Sequence, residues 1–371
     1  MIFSGQPLVW KCSGISCGWC ISDPLLLFGF SSQEREASRG QPSSCHLAIL
    51  RLVTCVRAHL MWSKHPKYLN ARKDFVANFS ASELTQLSYS LPKILFICGG
   101  EEKSCKNRGI LEGYIRKHHK EYLTFRAELA WDLISSSDNS KNVNALALEE
   151  WLADISDIVI ILVESFGTVA ELGAFSLSPS LRKKLLPVLD KQFERHNSFI
   201  NTGPVMWVNN DSKFKPTIYT DFKTILTCIP QINERLTRKT RSSVSKNNLH
   251  GDYQYSPKVL LFFLLCVIAS LGPIGTTEIA KLSSNIIGLK DRSKNNIRFM
   301  LSLGIALELF KKTQVGSELY YSCVDFDKFF NHDSTKKLLS KILKSRARAL
   351  SDLIMIPAFK SELGKVMKNV N

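Results

Sequence analysis

No apolar run in this chain is long enough to span a bilayer. The longest, Val259–Leu271, falls short of the roughly 20 residues a membrane helix needs, so it reads as a buried helix and no membrane segment is expected. There is also no Ser–His–Asp set and no Walker-type glycine loop. Cys12, Cys17 and Cys20 have the spacing of a metal knuckle, but no fourth ligand completes a zinc set, and neither metal nor cofactor is expected. No small-residue cleavage site follows the apolar patch Pro24–Phe30, which argues against a secretory leader. The ten cysteines do not form a disulfide framework on 371 residues; Cys98, Cys228 and Cys266 fall within apolar segments, as expected of a reducing cytoplasm. Acidic residues are also in deficit, 33 against 49 Lys and Arg, for a net charge of +16. That excess favours a polyanionic partner, nucleic acid before an anionic membrane surface.

Residues 1–60 lack sustained periodicity and hold half of the cysteines, so we expect translation to start at Met61 and residues 1–60 to be a disordered or mis-assigned extension. From there the pattern is conventional. Residues 61–92 form an N-terminal helical segment, with Ser80–Glu83 as a capping box. Buried strands are expected at Lys93–Cys98, Tyr122–Phe125, Ile158–Val163 and Lys184–Leu189, with a further one where the polar loop Ser198–Val208 ends. Helices between them (Lys103–Glu121, Val143–Ile155 and the segment carrying Glu171) imply a doubly wound, mainly parallel α/β domain over 93–235. Residues 236–256 read as a basic linker. Over 257–330, three helices precede a hairpin with Gly316-Ser317 at its tip, the order of a winged helix whose third helix, Arg292–Phe310, enters the major groove. Its nucleic-acid face would comprise Lys290, Arg292, Lys294 and Arg298, with Lys311 and Lys312 near the wing and Arg238, Lys239 and Arg241 on the linker. Residues 331–371 form a basic amphipathic tail, with Leu338, Leu339, Ile342, Leu343 and Leu350 at helical spacing.

The stretch Asp157–Phe175, DIVIILVESFGTVAELGAF, concentrates the chemistry. A strand buried on both faces ends at Glu164, a Gly-containing turn follows, and a helix carries Glu171, expected in its first turn. Ligands of open α/β sheets sit outside the carboxyl ends of the strands, so strand position alone makes both carboxylates candidates. A first-turn position would favour ionised Glu171 through the helix dipole. Such a carboxylate suits a developing positive carbon, as when a ribosyl–base bond breaks. A second acid, Glu164 or Glu128, would orient a sugar hydroxyl or protonate the leaving base. Gly99-Gly100, directly after the first strand, would admit a phosphate or ribose close to the backbone. His118 and His119 are expected to be solvated.

VESFGTVAELGAFS (Val163–Ser176) resembles the catalytic segment of nucleoside 2-deoxyribosyltransferase-like enzymes, whose nucleophile is the Glu of an ELG motif; the resemblance implies that role for Glu171. With LFICGG (Leu95–Gly100), the Glu128 segment, LRKK (Leu181–Lys184) and SFINTGPV (Ser198–Val205), the chain is similar to retron anti-phage effectors that join such an N-glycosidase domain to a winged-helix DNA-binding domain. Val163 stands where such effectors can carry Pro. The resemblance implies a toxin that cleaves the ribosyl–base bond of NAD+ or a deoxynucleotide, with Gly99, Gly100, Gly167, Thr168 and Asn201 contacting substrate. It also implies restraint by a retron reverse transcriptase and its msDNA, an RNA–DNA hybrid, in a homo-oligomer or a higher assembly with that enzyme. Two other classes fit the residues: a housekeeping nucleoside deoxyribosyltransferase, and a non-enzymatic DNA-binding regulator that senses a nucleotide.

Overall fold

The computed structural model describes residues 65–79, 83, 90–101, 103, 105–128, 145–238, 256–287, 294–315, 318–323, 325–330, 332–357, 359–361 and 364. The expectations for residues 1–60, most of the Ser80–Glu83 box and most of the basic linker lie outside them.

In chain order the elements are α1 (Pro66–Asn78), β1 (Lys93–Cys98), α2 (Asn107–His118), β2 (Tyr122–Phe125), α3 (Ala145–Ile155), β3 (Ile158–Val163), α4 (Phe166–Leu177), α5 (Pro179–Arg182) and β4 (Leu185–Asp190). There follow α6 (Met206–Asp211), β5 (Ile218–Thr220), α7 (Ile229–Thr237), α8 (Pro257–Leu271), β6 (Ile274–Gly275), α9 (Thr276–Ile287), α10 (Lys294–Ala306), β7 (Lys311–Val315), β8 (Glu318–Ser322) and α11 (Lys336–Leu353).

The first five strands form one sheet, ordered β2-β1-β3-β4-β5, and every pairing is parallel. The expected α/β architecture is therefore present. Because side chains alternate across a strand, β1 divides its residues between two cores. Leu95 and Ile97 pack with Leu111, Ile115, Ile232 and Leu236 of α2 and α7. Ile94, Phe96 and Cys98 face the opposite core, with Leu152, Leu172 and Phe175 of α3 and α4. The chain leaves β1 toward β2 on one side, while β3 lies on its other side. The carboxyl ends of β1 and β3 thus flank the topological switch point, where such sheets bind ligands.

One expected strand is absent. After Ser198 the chain forms a turn of π-helix, Asn201–Val205, and then α6, before β5 begins at Ile218. The apolar run there has helical rather than alternating burial: Val205 and Val208 are inside, while Met206 and Trp207 are exposed.

The C-terminal elements build a second sheet of three antiparallel strands, ordered β6-β8-β7. Residues 316 and 317, the expected hairpin tip, lie between β7 and β8 but outside the described residues. Helix α10 ends at Ala306, earlier than Phe310, because Glu308 takes a left-handed φ of 58° and the amides of Leu309 and Phe310 turn back to the Gly304 carbonyl.

From Val259 to Leu271, α8 is buried on every side, as its uniformly apolar sequence requires. It starts at Ser256, whose hydroxyl accepts from the Val259 amide, with Pro257 at the first helical position. Helices α1 and α11 pack on it and on each other. Consequently α11 is part of the core: Leu338, Ile342, Ala349 and Leu353 are buried, Leu339 and Leu350 are half-buried, and Leu343 is exposed. This helical core is continuous with the α3–α4 side of the parallel sheet. Trp151 of α3 meets Phe299 of α10 edge-on at 4.3 Å, Lys258 pairs with Asp157 at 2.8 Å, and Arg116 pairs with Glu308 at 2.7 Å. Among the described residues, no helix is long and apolar enough to cross a membrane.

Candidate active site

At the end of β1 the chain turns through Gly99 and Gly100 into α2. A Cβ on Gly99 would lie 2.7 Å from the Cβ of Arg108, and one on Gly100 would lie 2.5 Å from Cys105 Sγ. Close packing of the following loop and helix is enough to require glycine at both positions. Across the switch point, Glu164 binds this turn: its Oε1 accepts from the Gly100 amide at 3.1 Å and its Oε2 from Asn107 Nδ2 at 2.9 Å. Both carboxylate oxygens are therefore engaged in holding the end of β3 to the β1–α2 turn. Glu164→Gln would put an amide NH₂ against one of these donors. The expected result is a loss of about 1–3 kcal/mol of stability, read by chemical denaturation; a variant as stable as the wild type would contradict the bracing role.

Helix α4 is capped by Ser165, whose hydroxyl accepts from the Thr168 amide at 3.3 Å, while Thr168 Oγ1 accepts from the Ser165 amide at 3.0 Å. The same Oγ1 accepts from the Glu164 amide and donates to the Ser165 carbonyl. Thr168 is buried and its hydroxyl is committed to the cap, whereas Gly167 is exposed beside it. Asn201 is likewise engaged internally: its Nδ2 donates to the carbonyls of Phe193 and His196, and its Oδ1 accepts from the Tyr219 hydroxyl at 3.1 Å.

This cap changes the position of Glu171. Helix α4 begins at Phe166, so Glu171 lies in the second turn and there is no acidic residue in the first. The helix-dipole argument for an easily ionised Glu171 therefore fails, since that effect is confined to the end turn. The Glu171 carboxyl is instead pushed up to about 7, first by burial and then by the charge of Glu149; Glu128 adds to this, while a hydrogen bond from Cys98 and the charge of Arg108 oppose it. Its Oε2 is buried without a hydrogen-bond partner. Glu149, on α3, is also raised, by burial and then by Glu128.

Glu128 lies just beyond β2, where its side chain is 56% exposed and its Oε1 accepts from Arg108 Nη1 at 2.7 Å. The guanidinium of Arg108 is buried at the start of α2. Three carboxyl groups, Glu128, Glu149 and Glu171, are thus electrostatically coupled beside one arginine and one thiol. A buried carboxyl with a raised pKa beside like charges is a common device of acid–base and nucleophilic sites.

Glu149, Arg108 and Cys98 escaped the reading by sequence. Arg108 has no local signal among the many basic residues of its helix, and Glu149 lies on a helix one element upstream of the motif. Cys98 did carry one: it is the last residue of a strand at the sheet's ligand-binding edge. His119, expected to be solvated, is buried and bonded to Glu121 and Asn233. Among the described residues, no group of three or more His, Cys, Asp or Glu could hold a metal ion.

On the nucleic-acid side, Arg298 is exposed on α10, and Lys311 and Lys312 are exposed on β7. Arg238 donates to Glu234 at 2.6 Å and to the Lys215 carbonyl at 2.7 Å. Lys239, Arg241, Lys290, Arg292 and the Lys294 side chain lie outside the described residues.

Comparison with known proteins covers both halves of this architecture. Residues 104–312 match a family described as STM3845 retron effector protein. Over 276 residues the chain is 26% identical to an Escherichia coli protein of retron Ec73, named as a candidate ribosyltransferase/DNA-binding protein; the match takes in 69% of this chain and 84% of that protein. It is 35% identical over 112 residues to the similarly named protein of the Escherichia coli retron Ec86, covering 30% of this chain and 36% of that one.

Proposed function

As the chain belongs to the family of STM3845 retron effector proteins, we propose that it is the toxin of a retron anti-phage system, an N-glycosidase that cleaves the ribosyl–base bond of NAD+ or a deoxynucleotide. The observation that carries this reading is Glu171: a buried carboxyl with an unpartnered oxygen, beside two further carboxylates at the switch point of a parallel sheet. The names of both retron relatives pair ribosyl transfer with DNA binding, which fits the two halves of the chain.

In the proposed mechanism, ionised Glu171 attacks the anomeric carbon. A carbon–oxygen bond forms as the carbon–nitrogen bond breaks, and the electron pair leaves on the base nitrogen. A pyridinium base departs neutral and takes no proton, so on that route Glu149 is ionised from the start; a base that is neutral in the substrate takes a proton from protonated Glu149, whose raised pKa suits a donor, and so leaves it ionised. Water then cleaves the glycosyl ester as Glu149 removes its proton. Glu128, held by Arg108, orients a sugar hydroxyl. Glu164, with both oxygens occupied, braces the site.

Since the attacking form is the carboxylate, activity rises with pH through about 7, the pKa of Glu171. Glu149→Gln removes a charge that raises this pKa, so the acid limb of the profile moves to lower pH, measurable from kcat/KM against pH. A limb that stays in place would detach Glu149 from Glu171.

The C-terminal half is proposed as a winged helix. In its favour are the element order α8-β6-α9-α10-β7-β8, the antiparallel β6-β8-β7 sheet, and the exposed Arg298, Lys311 and Lys312. Its partner is proposed to be msDNA held with the reverse transcriptase, which keeps the toxin inactive. Phosphate-driven association weakens steeply as salt rises; salt-insensitive binding would indicate a protein-only interface. Incubating the purified chain with NAD+ and with deoxynucleotides tests the activity. Free base is expected, base exchange with a second nucleoside would reassign the chain as a deoxyribosyltransferase, and no cleavage would leave a nucleotide-sensing regulator.

A further inference from the structure

Helix α4 turns a smooth, uncharged face to solvent. Its sequence, FGTVAELGAFSL, holds a single charged residue, Glu171, whose side chain is half-buried. Thr168, Leu172, Phe175 and Ser176 form the buried side. Phe166, Ala170, Gly173 and Leu177, spaced i, i+4, i+7 and i+11, share the outer one. Phe166 is 97% exposed and Leu177 68% exposed. Ala170 is exposed between them, and a Cβ added to Gly173 would meet nothing beyond its own helix within 4 Å. A solvated helix face ordinarily carries charged and polar side chains; this stripe carries none.

The apolar surface continues past the helix. The π-helical turn Asn201–Val205 packs on α4. Phe199 lies over Gly203 of that turn and is 84% exposed. Met206 and Trp207 are exposed on α6, with Arg182 of α5 over the Trp207 ring. Among the described residues, five of the twelve exposed large apolar side chains belong to this one patch. At ~200 Å² per aromatic side chain, Phe166, Phe199 and Trp207 alone leave roughly 450 Å² in water. That is within the roughly 300–600 Å² of the largest patch on an ordinary monomer, and over half of the ~800 Å² that each partner buries in a stable interface.

The order of residues along the stripe identifies its occupant. We propose that α4 packs antiparallel on α4 of a second copy of this chain, about a two-fold axis between Ala170 and Gly173. A two-fold contact must be self-complementary. Phe166 lies as far before Ala170 as Leu177 lies beyond Gly173. The axis therefore sets each Phe166 against the partner's Leu177, and each Ala170 against the partner's Gly173. Small residues at the centre let the helix axes approach closely, while the large ones close the two ends. No charged side chain stands on the stripe to be stripped of water.

Sedimentation of the full chain over a range of concentrations tests this pairing. The wild type is expected to dimerise. Phe166→Lys and Leu177→Glu should each raise the dissociation constant on the order of 100-fold, because every change enters a two-fold interface twice. Both side chains stand in water in the single chain, so helical circular dichroism should be unchanged. Combining the two changes sets each Lys opposite a Glu of the other copy, and the double variant should recover most of the loss. A wild type that stays monomeric would overturn the proposal; if it still binds the reverse transcriptase and Phe166→Lys does not, the face belongs to that enzyme. Single variants that dimerise like the wild type would overturn it as well. A double variant no tighter than the single ones would overturn the two-fold register. None of these outcomes depends on whether a nucleotide is cleaved.

Discussion

Glu171→Gln is expected to abolish turnover, by on the order of 10⁴-fold or more, while making the folded protein more stable at neutral and alkaline pH. Gln keeps the shape of the side chain but has no lone pair suited to forming the glycosyl ester. The stability gain follows from the sign of the pKa shift. In the unfolded chain the carboxyl ionises near 4.5, whereas in the folded chain it holds its proton to about 7. Folding therefore binds a proton between these values, and the wild type loses stability across that window as pH rises. The neutral Gln pays no such penalty. The two chains should match in stability near pH 4, diverge from about 4.5 to about 7, and above that differ by a constant amount, at most about 3 kcal/mol. Denaturation at several pH values alongside an assay for released base measures both effects. A variant with full activity would remove Glu171 from the chemistry; a variant less stable than wild type at pH 8 would show that the carboxylate stabilises the fold.

Phe263→Ala has the other large expected effect. Phe263 lies in the middle of α8, is fully buried, and its ring centroid is 5.8 Å from that of Phe79. Emptying this position should cost about 3–5 kcal/mol, a fall in Tm on the order of 10 °C. The consequence should reach the parallel sheet, because the core that contains Phe263 continues without a break to Val159 and Ile161 of β3 and Phe175 of α4. Hydrogen exchange should therefore show β1 and β3 losing protection together with α8. Two separate transitions, with the sheet unaffected, would mean that the helical half unfolds by itself.

Much of this was legible from the residues. KILFIC and IVIILV could only be strands buried on both faces, and their spacing from the intervening helices implied a parallel sheet. PKVLLFFLLCVIASL, apolar on every side, had to be an interior helix. Glu171 was legible too, through the ELG segment after the third strand. Other features depended on tertiary context. Pro204–Val208 has the composition of a strand, but the inward sides of Val205 and Val208 made it helical. Strand position alone left Glu164 and Glu171 alike and only the resemblance to the ELG segment favoured Glu171; that Glu164 has both oxygens bonded, to Gly100 and Asn107, while Glu171 keeps one unpartnered, came from the tertiary structure.

The sequence by itself determined the class of sheet, the burial of α8, the family and the motif that holds the candidate nucleophile. These depend on local periodicity, on composition and on residues adjacent in the chain. Only the tertiary structure decided the electrostatics of the site. A pKa follows from burial and from charges close in space, and here those come from four separate elements: Cys98 from β1, Arg108 from α2, Glu128 from beyond β2 and Glu149 from α3. The start of α4 shows the same division. The helix was visible in the sequence, but the Ser165–Thr168 cap placed Glu171 one turn deeper, out of reach of the helix dipole and into the company of a thiol and two carboxylates.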